Sequence, residues 1–148
     1  MTPAKPTVLL ADDNANNAEL IRMSFRKAGY DNPIQGFCRG EEAIEYLKGE
    51  GEYSDRAKFP LPALLLLDTR MPGLSGWDVL KWVRQQSQFA SLPIVVFTGS
   101  EYPGDRQKAE DLGANAYLVK PQTFVEFTNA VKKIADFWLR NGLPAFSG

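Results

Sequence analysis

The stretch LLLLDTRMPGLSG, residues 64–76, determines the fold class of this 148-residue chain. Four consecutive leucines end at an acidic residue, Asp68, and a turn-forming segment with one proline and two glycines follows. A continuous apolar run of this kind is typical of a strand that is covered on both faces of a parallel sheet. We therefore predict a buried strand over Ala63 to Leu67, with Asp68 at its carboxyl end.

On both sides of this strand, short apolar runs alternate with longer amphipathic stretches, which is typical of βαβ units around a parallel sheet. The predicted strands are Thr7 to Ala11, Pro33 to Cys38, Ala63 to Leu67, Leu92 to Phe97 and Ala116 to Val119. The predicted helices are Ala15 to Ala28, Glu41 to Lys48, Gly76 to Gln86, Asp105 to Leu112 and Thr123 to Arg140, and polar Glu50 to Pro62 is expected to be a loop. The sequence thus predicts an α/β fold with a doubly wound five-stranded parallel sheet and five helices, formed by residues 1–148 as a single domain.

Polar residues follow the ends of four predicted strands. Asp12 and Asp13 follow the first strand, Asp68 the third, Thr98 the fourth and Lys120 the fifth. Each has an ordinary alternative explanation, since an acidic residue can cap a helix and a lysine before proline is usually a surface residue. Ligand sites in open parallel sheets form outside the carboxyl ends of the strands, so the coincidence at four ends favours one shared pocket.

These residue types together indicate phosphoryl-transfer chemistry. Crowded carboxylates repel one another unless a cation intervenes, and an oxygen-rich site of this kind suits Mg²⁺. An ionised Asp68 beside Mg²⁺ could attack phosphorus as a nucleophile and form an acyl phosphate. Lys120 would supply positive charge to the phosphoryl oxygens, and the Thr98 hydroxyl would donate a hydrogen bond to one of them.

The composition excludes several other classes of function. The chain has no histidine, which removes Ser–His and Cys–His catalysis and any role as a histidine phosphodonor. Its formal net charge is −1 with both signs interspersed, so no nucleic-acid partner is indicated. We see no membrane span and no signal peptide over Met1 to Pro6, and we expect a cytoplasmic protein. The single cysteine, Cys38, cannot form an internal disulfide and is expected to be a small buried hydrophobe.

Four motifs give the sequence a family resemblance. They are VLLADDN (8–14), LLLLDTRMPGLSGWDVL (64–80), IVVFTGS (94–100) and GANAYLVKP (113–121). Taken together they resemble the receiver domain of two-component response regulators, over nearly the whole chain from Val8 to Trp138. The resemblance implies the flavodoxin-like receiver fold and a regulator with no output domain after its last helix.

The resemblance also implies roles for individual residues. Asp68 would be the phospho-acceptor, Asp12 and Asp13 would be metal carboxylates, and the backbone carbonyl of Arg70 would be a further metal contact. The side chain of Arg70 departs from the smaller or polar residue that the family often has at this position. We expect Arg70 to alter the lifetime of the phosphorylated form.

The family further implies a conformational switch. Thr98 would be drawn towards the phosphoryl group, and Tyr117, three residues before Lys120, would turn inward into room left by Gly99. The phosphoryl donor would be a sensor histidine kinase or a phosphotransfer protein, and the output would pass to a downstream protein. We therefore expect a signalling switch with intrinsic phosphoryl transfer and slow autodephosphorylation, not a metabolic enzyme.

A finer resemblance involves the long Glu50–Pro62 connection and the ending with Phe137-Trp138-Leu139. Both are similar to the stand-alone regulators partnered with bacterial and cyanobacterial phytochromes. Those regulators are often homodimers through the fourth helix, last strand and last helix, so the resemblance implies a homodimer through this face.

The sequence has three alternative interpretations besides an active receiver. A phosphatase of the haloacid-dehalogenase type needs a second aspartate two residues after the nucleophile, where this chain has Arg70. A flavodoxin-like FMN carrier needs a hydroxyl-rich phosphate loop, whereas Asp12 and Asp13 would repel a phosphate. A degenerate receiver, acting as a phosphorylation-independent binding module, remains the main alternative, although the acceptor, the lysine and the acidic pair are all present.

Overall fold

The computed structural model describes residues 5–140, whose strands form one parallel sheet in the order β2-β1-β3-β4-β5. The strands are β1 (Thr7–Ala11), β2 (Ile34–Phe37), β3 (Pro62–Leu67), β4 (Ile94–Thr98) and β5 (Ala116–Val119). The helices are α1 (Ala15–Lys27), α2 (Gly40–Lys48), α3 (Gly76–Gln85), α4 (Asp105–Asp111) and α5 (Phe124–Ala135), and a π-helical turn, Asp136–Arg140, continues α5. The predicted doubly wound fold is confirmed.

The core consists of two apolar layers, one on each face of the sheet. Successive side chains of β3 point to opposite faces, so Leu65 and Leu67 pack towards α2 and α3. Leu64 and Leu66 pack towards α1 and α5 on the other face. Because both faces of β3 are covered, the strand tolerates no polar residue before Asp68, which explains the uninterrupted run of leucines.

Strand order reverses between β1 and β3. The chain leaves β1 towards β2 on one side, then crosses back to add β3, β4 and β5 on the other side. The carboxyl ends of β1 and β3 therefore lie side by side at the point where helices depart to opposite faces of the sheet. This point is where an open α/β sheet forms a crevice for ligands.

Several sequence predictions differ from the structure, most of them by one or two residues at the end of an element. Cys38, expected to be buried, is exposed. It directly follows the buried Phe37 of edge strand β2, and the alternation of side chains turns it outward. Strand β4 begins at Ile94 rather than Leu92, because the N–H of Leu92 donates to the carbonyl oxygen of Phe89 in the preceding turn (3.2 Å) and Pro93 has no N–H to donate.

The side chain of Arg84 on α3 joins three segments of the chain. Its guanidinium donates to the carbonyl oxygens of Phe89 (2.9 Å), Leu92 (2.8 Å) and Gly113 (2.9 Å), and to Oδ1 of Asn115 (2.9 Å). A longer bond reaches the carbonyl oxygen of Ala90 at 3.4 Å. These acceptors are neutral, so hydrogen bonds rather than an ion pair hold α3, the turn before β4 and the start of β5 together.

The long connection between α2 and β3 was expected to be a loop, and it contains a short 3₁₀ turn, Gly51–Ser54. Phe59 of this connection packs edge-on against Tyr53 and against Tyr46 of α2, and the rings of Tyr53 and Tyr46 pack at a tilt of 49°. Arg56 donates to the carbonyl oxygen of Leu47 at 2.8 Å. The connection is therefore anchored to α2 by aromatic contacts and a hydrogen bond at the helix end. Among residues 5–140, no helix is both long and apolar enough to cross a bilayer.

Candidate functional site

The polar residues predicted at the strand ends meet in one cluster around the ammonium of Lys120. Its Nζ lies 2.6 Å from Oδ2 of Asp12 and 2.8 Å from Oδ2 of Asp68. These residues follow β5, β1 and β3, and the backbone N–H of Lys120 also donates to the carbonyl oxygen of Thr98 at 2.7 Å. The ends of four strands are thus joined by direct contacts over a few ångströms.

Asp68 is buried, and its two carboxylate oxygens have different partners. Oδ2 accepts from Lys120, while Oδ1 accepts from the hydroxyl of Thr98 at 3.1 Å and from the backbone N–H of Arg70 at 3.1 Å. Gly76 holds this turn close, since a Cβ there would lie 2.0 Å from the carbonyl oxygen of Asp68. The sequence needs glycine at position 76 so that α3 can begin directly beneath the acceptor turn.

The acidic pair after β1 divides into a buried and an exposed carboxylate. Asp12 is buried and accepts from the backbone N–H of Asn14 at 2.9 Å, whereas Asp13 is exposed. Helix α1 is capped by Asn14, whose side chain accepts from the N–H of Asn17 at 3.0 Å. Capping is therefore assigned to Asn14, and both aspartates remain available to the site.

Burial and charge act in opposite directions on the central ion pair. The pKa of Asp12 is raised above its usual value, because the effect of burial is larger than the lowering by the hydrogen bonds from Lys120 and Asn14. Burial alone would lower the pKa of Lys120, but hydrogen bonds to Asp12 and Asp68 outweigh it and the pKa is raised. Lys120 is therefore a cation at neutral pH, fixed between two carboxylates.

The cluster has the donor set of a divalent-cation site. Carboxylate oxygens of Asp12, Asp13 and Asp68 lie within 4.8 Å of one another. One ammonium against three carboxylates leaves the cluster negatively charged when all are ionised, and hard oxygen ligands suit Mg²⁺ and similar cations. The residues present therefore fit a divalent metal. Arg70 is exposed, and its predicted contribution is a backbone carbonyl rather than its side chain.

Tyr117 on β5, the predicted switch aromatic, contacts the loop that follows β4. It is buried, and its hydroxyl donates to the carbonyl oxygen of Ser100 at 2.9 Å. The guanidinium of Arg106 lies 5.1 Å from the centre of the Tyr117 ring and donates to the Tyr117 carbonyl oxygen at 3.2 Å. The Ser100 backbone N–H in turn donates to Oγ1 of Thr98 at 3.2 Å. The hydroxyls of Tyr117 and Thr98 are therefore both hydrogen-bonded to the backbone of Ser100.

Sequence reasoning missed three residues of this network: Thr69, Ser100 and Arg106. Thr69 is buried beside the acceptor, and its Oγ1 lies 3.0 Å from Oγ1 of Thr98. A hydroxyl directly after a strand-end aspartate was the available signal for Thr69. Ser100 and Arg106 gave no comparable signal, because their contacts depend on the conformation of the loop between β4 and α4.

Comparison with known proteins identifies the family. Residues 8–132 match the profile of the response regulator receiver domain. The chain is 33% identical over 132 residues to a probable methanogenesis regulatory protein, FilR2, of Methanothrix harundinacea, covering 89% of this chain and 83% of the relative. It is 30% identical over 139 residues to response regulator Rcp1 of Synechocystis, covering 93% of this chain and 92% of the relative.

Solved structures agree with the sequence matches. The phosphorylated cyanobacterial phytochrome response regulator RcpA superposes with a TM-score of 0.89 at 28% identity, covering 97% of this chain and all of the other. The Mn²⁺-bound form of a response regulator named Rcp1 superposes with a TM-score of 0.86 at 27% identity, covering 94% and 98% of the two chains. The predicted similarity to phytochrome-partnered regulators is confirmed, and the chain belongs to the response regulator receiver domain family.

Proposed function

We propose that this protein is a response regulator that accepts a phosphoryl group on Asp68 from a phosphorylated histidine of a partner, with Mg²⁺ bound beside the acceptor. The observation that carries the proposal is the environment of the Asp68 carboxylate. Lys120 approaches one of its oxygens at 2.8 Å and the Thr98 hydroxyl approaches the other at 3.1 Å. A buried carboxylate with an ammonium and a hydroxyl donor beside it suits an acceptor whose product carries new negative charge.

Phosphoryl transfer requires from the protein mainly orientation and charge stabilisation. A carboxylate oxygen of Asp68 forms the new P–O bond while the P–N bond to the donor histidine breaks, and the imidazole nitrogen keeps the electron pair and takes a proton. Lys120 stands next to the carboxylate, where its charge stabilises the phosphoryl oxygens. The Thr98 hydroxyl donates a hydrogen bond to one of those oxygens.

Asp12 and Asp13, with Asp68 and the carbonyl of Arg70, are the proposed metal ligands. When bound, Mg²⁺ neutralises the carboxylates and the incoming phosphoryl oxygens, so that anionic acceptor and anionic donor can approach. The support for this assignment is the grouping of three carboxylates within 4.8 Å. The buried Asp12 is held in place by Lys120 and Asn14, whereas the exposed Asp13 is open to an ion arriving from solvent.

We propose that phosphorylation biases the positions of Thr98 and Tyr117 and thereby alters the face formed by α4, β5 and α5. The loop that joins the Thr98 hydroxyl to the Tyr117 hydroxyl through Ser100 supports this coupling. The output is a protein–protein contact with a downstream target or a homodimer through the same face. Leu118 of β5, which is 36% exposed, offers apolar contact area there. The whole chain acts as one receiver in the cytoplasm, with a histidine kinase or phosphotransfer protein as donor.

Intact mass after treatment with acetyl phosphate tests the acceptor and the metal together. We expect wild type to gain the mass of one phosphoryl group when Mg²⁺ is present and none when EDTA replaces it. Asp68→Asn should gain none, and Asp78→Asn, an exposed aspartate of the α3 capping box, should be labelled like wild type. A folded wild type that stays unlabelled, beside a regulator that labels in parallel, would favour the phosphorylation-independent binding module.

Arg70→Asn is expected to shorten the lifetime of the phosphorylated form by several fold. Arg70 is exposed, and within residues 5–140 its guanidinium has no hydrogen-bond or ion-pair partner, so it is free to shield the phosphoryl group from an attacking water. The decay of the added phosphoryl mass after removal of acetyl phosphate measures the lifetime. Arg26→Asn, an exposed arginine on α1, is the matched control, and equal decay of Arg70→Asn and wild type would refute the role of Arg70.

A further inference from the structure

We infer that Thr69 is a positioning residue that makes the Thr98 hydroxyl a dedicated hydrogen-bond donor to the acceptor site. The inference rests on the proposed function, because it assigns Thr98 its partner on Asp68. It concerns a residue to which the sequence motifs gave no role, and it follows from the number of protons and lone pairs in a buried group of hydroxyls.

The position of Thr69 is fixed by the turn in which it lies. Thr69 is 5% exposed, and its carbonyl oxygen accepts from the N–H of Gly76 at 3.1 Å. A Cβ at position 76 would lie 2.8 Å from the Cα of Thr69, so the start of α3 packs directly against this backbone. The backbone of Thr69 is therefore held in place, and the side chain that it carries stays beside Thr98.

The donor in the contact between the two threonines can be deduced. Thr98 has a single hydroxyl proton, and it lies on the 3.1 Å bond to Oδ1 of Asp68, because an ionised carboxylate can only accept. The 3.0 Å contact between the two hydroxyl oxygens also requires a proton. That proton must come from Thr69, so Thr69 donates to Thr98 and Thr98 donates to Asp68.

Both lone pairs of the Thr98 oxygen then accept a hydrogen bond. A hydroxyl oxygen has two lone pairs, and here one accepts from Thr69 and the other from the backbone N–H of Ser100 at 3.2 Å. The Thr98 oxygen has no lone pair left for a water molecule or another donor. Its proton can only point towards the acceptor, first to Asp68 and after phosphorylation to a phosphoryl oxygen.

Such an arrangement prepares the site before the reaction. The O–H bond of Thr98 already points at the acceptor when the phosphoryl group arrives, so the side chain has only to shift its position and not to turn its proton. Donors that point at the Thr98 oxygen also polarise this O–H bond. Without the Thr69 hydroxyl, one lone pair of Thr98 is open and the proton is free to turn away from the acceptor. We expect the loss to appear in the rate of phosphorylation rather than only in stability.

The test compares rates of phosphorylation by acetyl phosphate with Mg²⁺, followed by intact mass, on variants shown to be folded by circular dichroism. Thr69→Val should slow labelling about fivefold, the factor expected for one neutral hydrogen bond. Thr69→Ser keeps the hydroxyl and should restore the rate to near that of wild type. Thr7→Val removes another buried threonine hydroxyl, at the opposite end of β1, and should leave the rate unchanged.

A double-mutant comparison separates positioning from a general structural effect. In a Thr98→Val background, Thr69→Val should slow labelling no further, because its target hydroxyl is gone. Equal slowing in both backgrounds, or no slowing by Thr69→Val in an otherwise wild-type chain that is labelled, would overturn the inference alone. A folded wild type that takes no phosphoryl group would overturn the proposed function, and the role of Thr69 with it.

Discussion

Replacing Lys120 by methionine is expected to slow phosphorylation of Asp68 by roughly a hundredfold, the loss typical when one preorganised charge or donor is removed from an active site. The ammonium lies 2.6 Å from Asp12 and 2.8 Å from Asp68, and the three side chains are nearly inaccessible to solvent. Without it, the two buried carboxylates repel both each other and the incoming phosphoryl oxygens. The rate is measured by intact mass during treatment with acetyl phosphate.

The same variant reports on the metal. Lys120→Met leaves Asp12 and Asp68 without their cation, so added Mg²⁺ should raise its melting temperature more than that of wild type. Lys108→Met is the matched control, because Lys108 lies over the ring of Trp77 at 4.6 Å on the exposed surface of α4. The assignment of Lys120 would be contradicted by an unchanged labelling rate in Lys120→Met. It would also be contradicted if Mg²⁺ raised the melting temperatures of Lys120→Met and wild type equally.

Replacing Arg84 by methionine should lower the free energy of unfolding by about 3 kcal/mol, since it leaves several carbonyl groups without their donor. The guanidinium makes five hydrogen bonds to acceptors from the turn before β4 and from the segment that leads into β5. Methionine fills a similar volume, so the loss measures hydrogen bonds more than packing. Urea unfolding followed by tryptophan fluorescence gives the free energy.

Two further variants distinguish the geometry of Arg84 from its charge. Arg84→Lys keeps the charge but replaces a planar fork by a single ammonium, so it should recover less than half of the lost stability. Arg26→Met removes an exposed arginine whose ion pair with Glu19 is 3.6 Å long, and should change stability by at most about 0.5 kcal/mol. Full stability in Arg84→Lys would show that the hydrogen-bonding fork is not what holds the three segments together.

Most of the fold was predictable because it depends on patterns that are local in the sequence. The leucine run of β3 and the helical spacing in α1 and α5 are set by which faces are buried, and burial appears directly as hydrophobicity. The meeting of Asp12, Asp68 and Lys120 was also predictable, because parallel strands bring their carboxyl ends to the same edge of the sheet.

What the sequence did not predict depends on side-chain direction or on contacts between distant loops. Cys38 lies one residue beyond an edge strand, where a shift of one position changes an inward side chain into an outward one. The partners of Arg84 are mostly backbone carbonyls, whose positions no residue type reveals. The direction of the Thr69 hydroxyl follows only from the full set of donors and acceptors around Thr98.

The joining of distant strand ends by Lys120 has a consequence for the chain during its synthesis and turnover. Lys120 is separated from Asp12 by 108 residues and from Asp68 by 52, so the acceptor environment is assembled only after nearly the whole sheet has paired. A nascent, misfolded or partly degraded molecule contains the same aspartate but not its cationic neighbour. Only molecules that have completed folding can therefore be phosphorylated efficiently on Asp68. Defective copies in the population stay unphosphorylated and do not activate the downstream target.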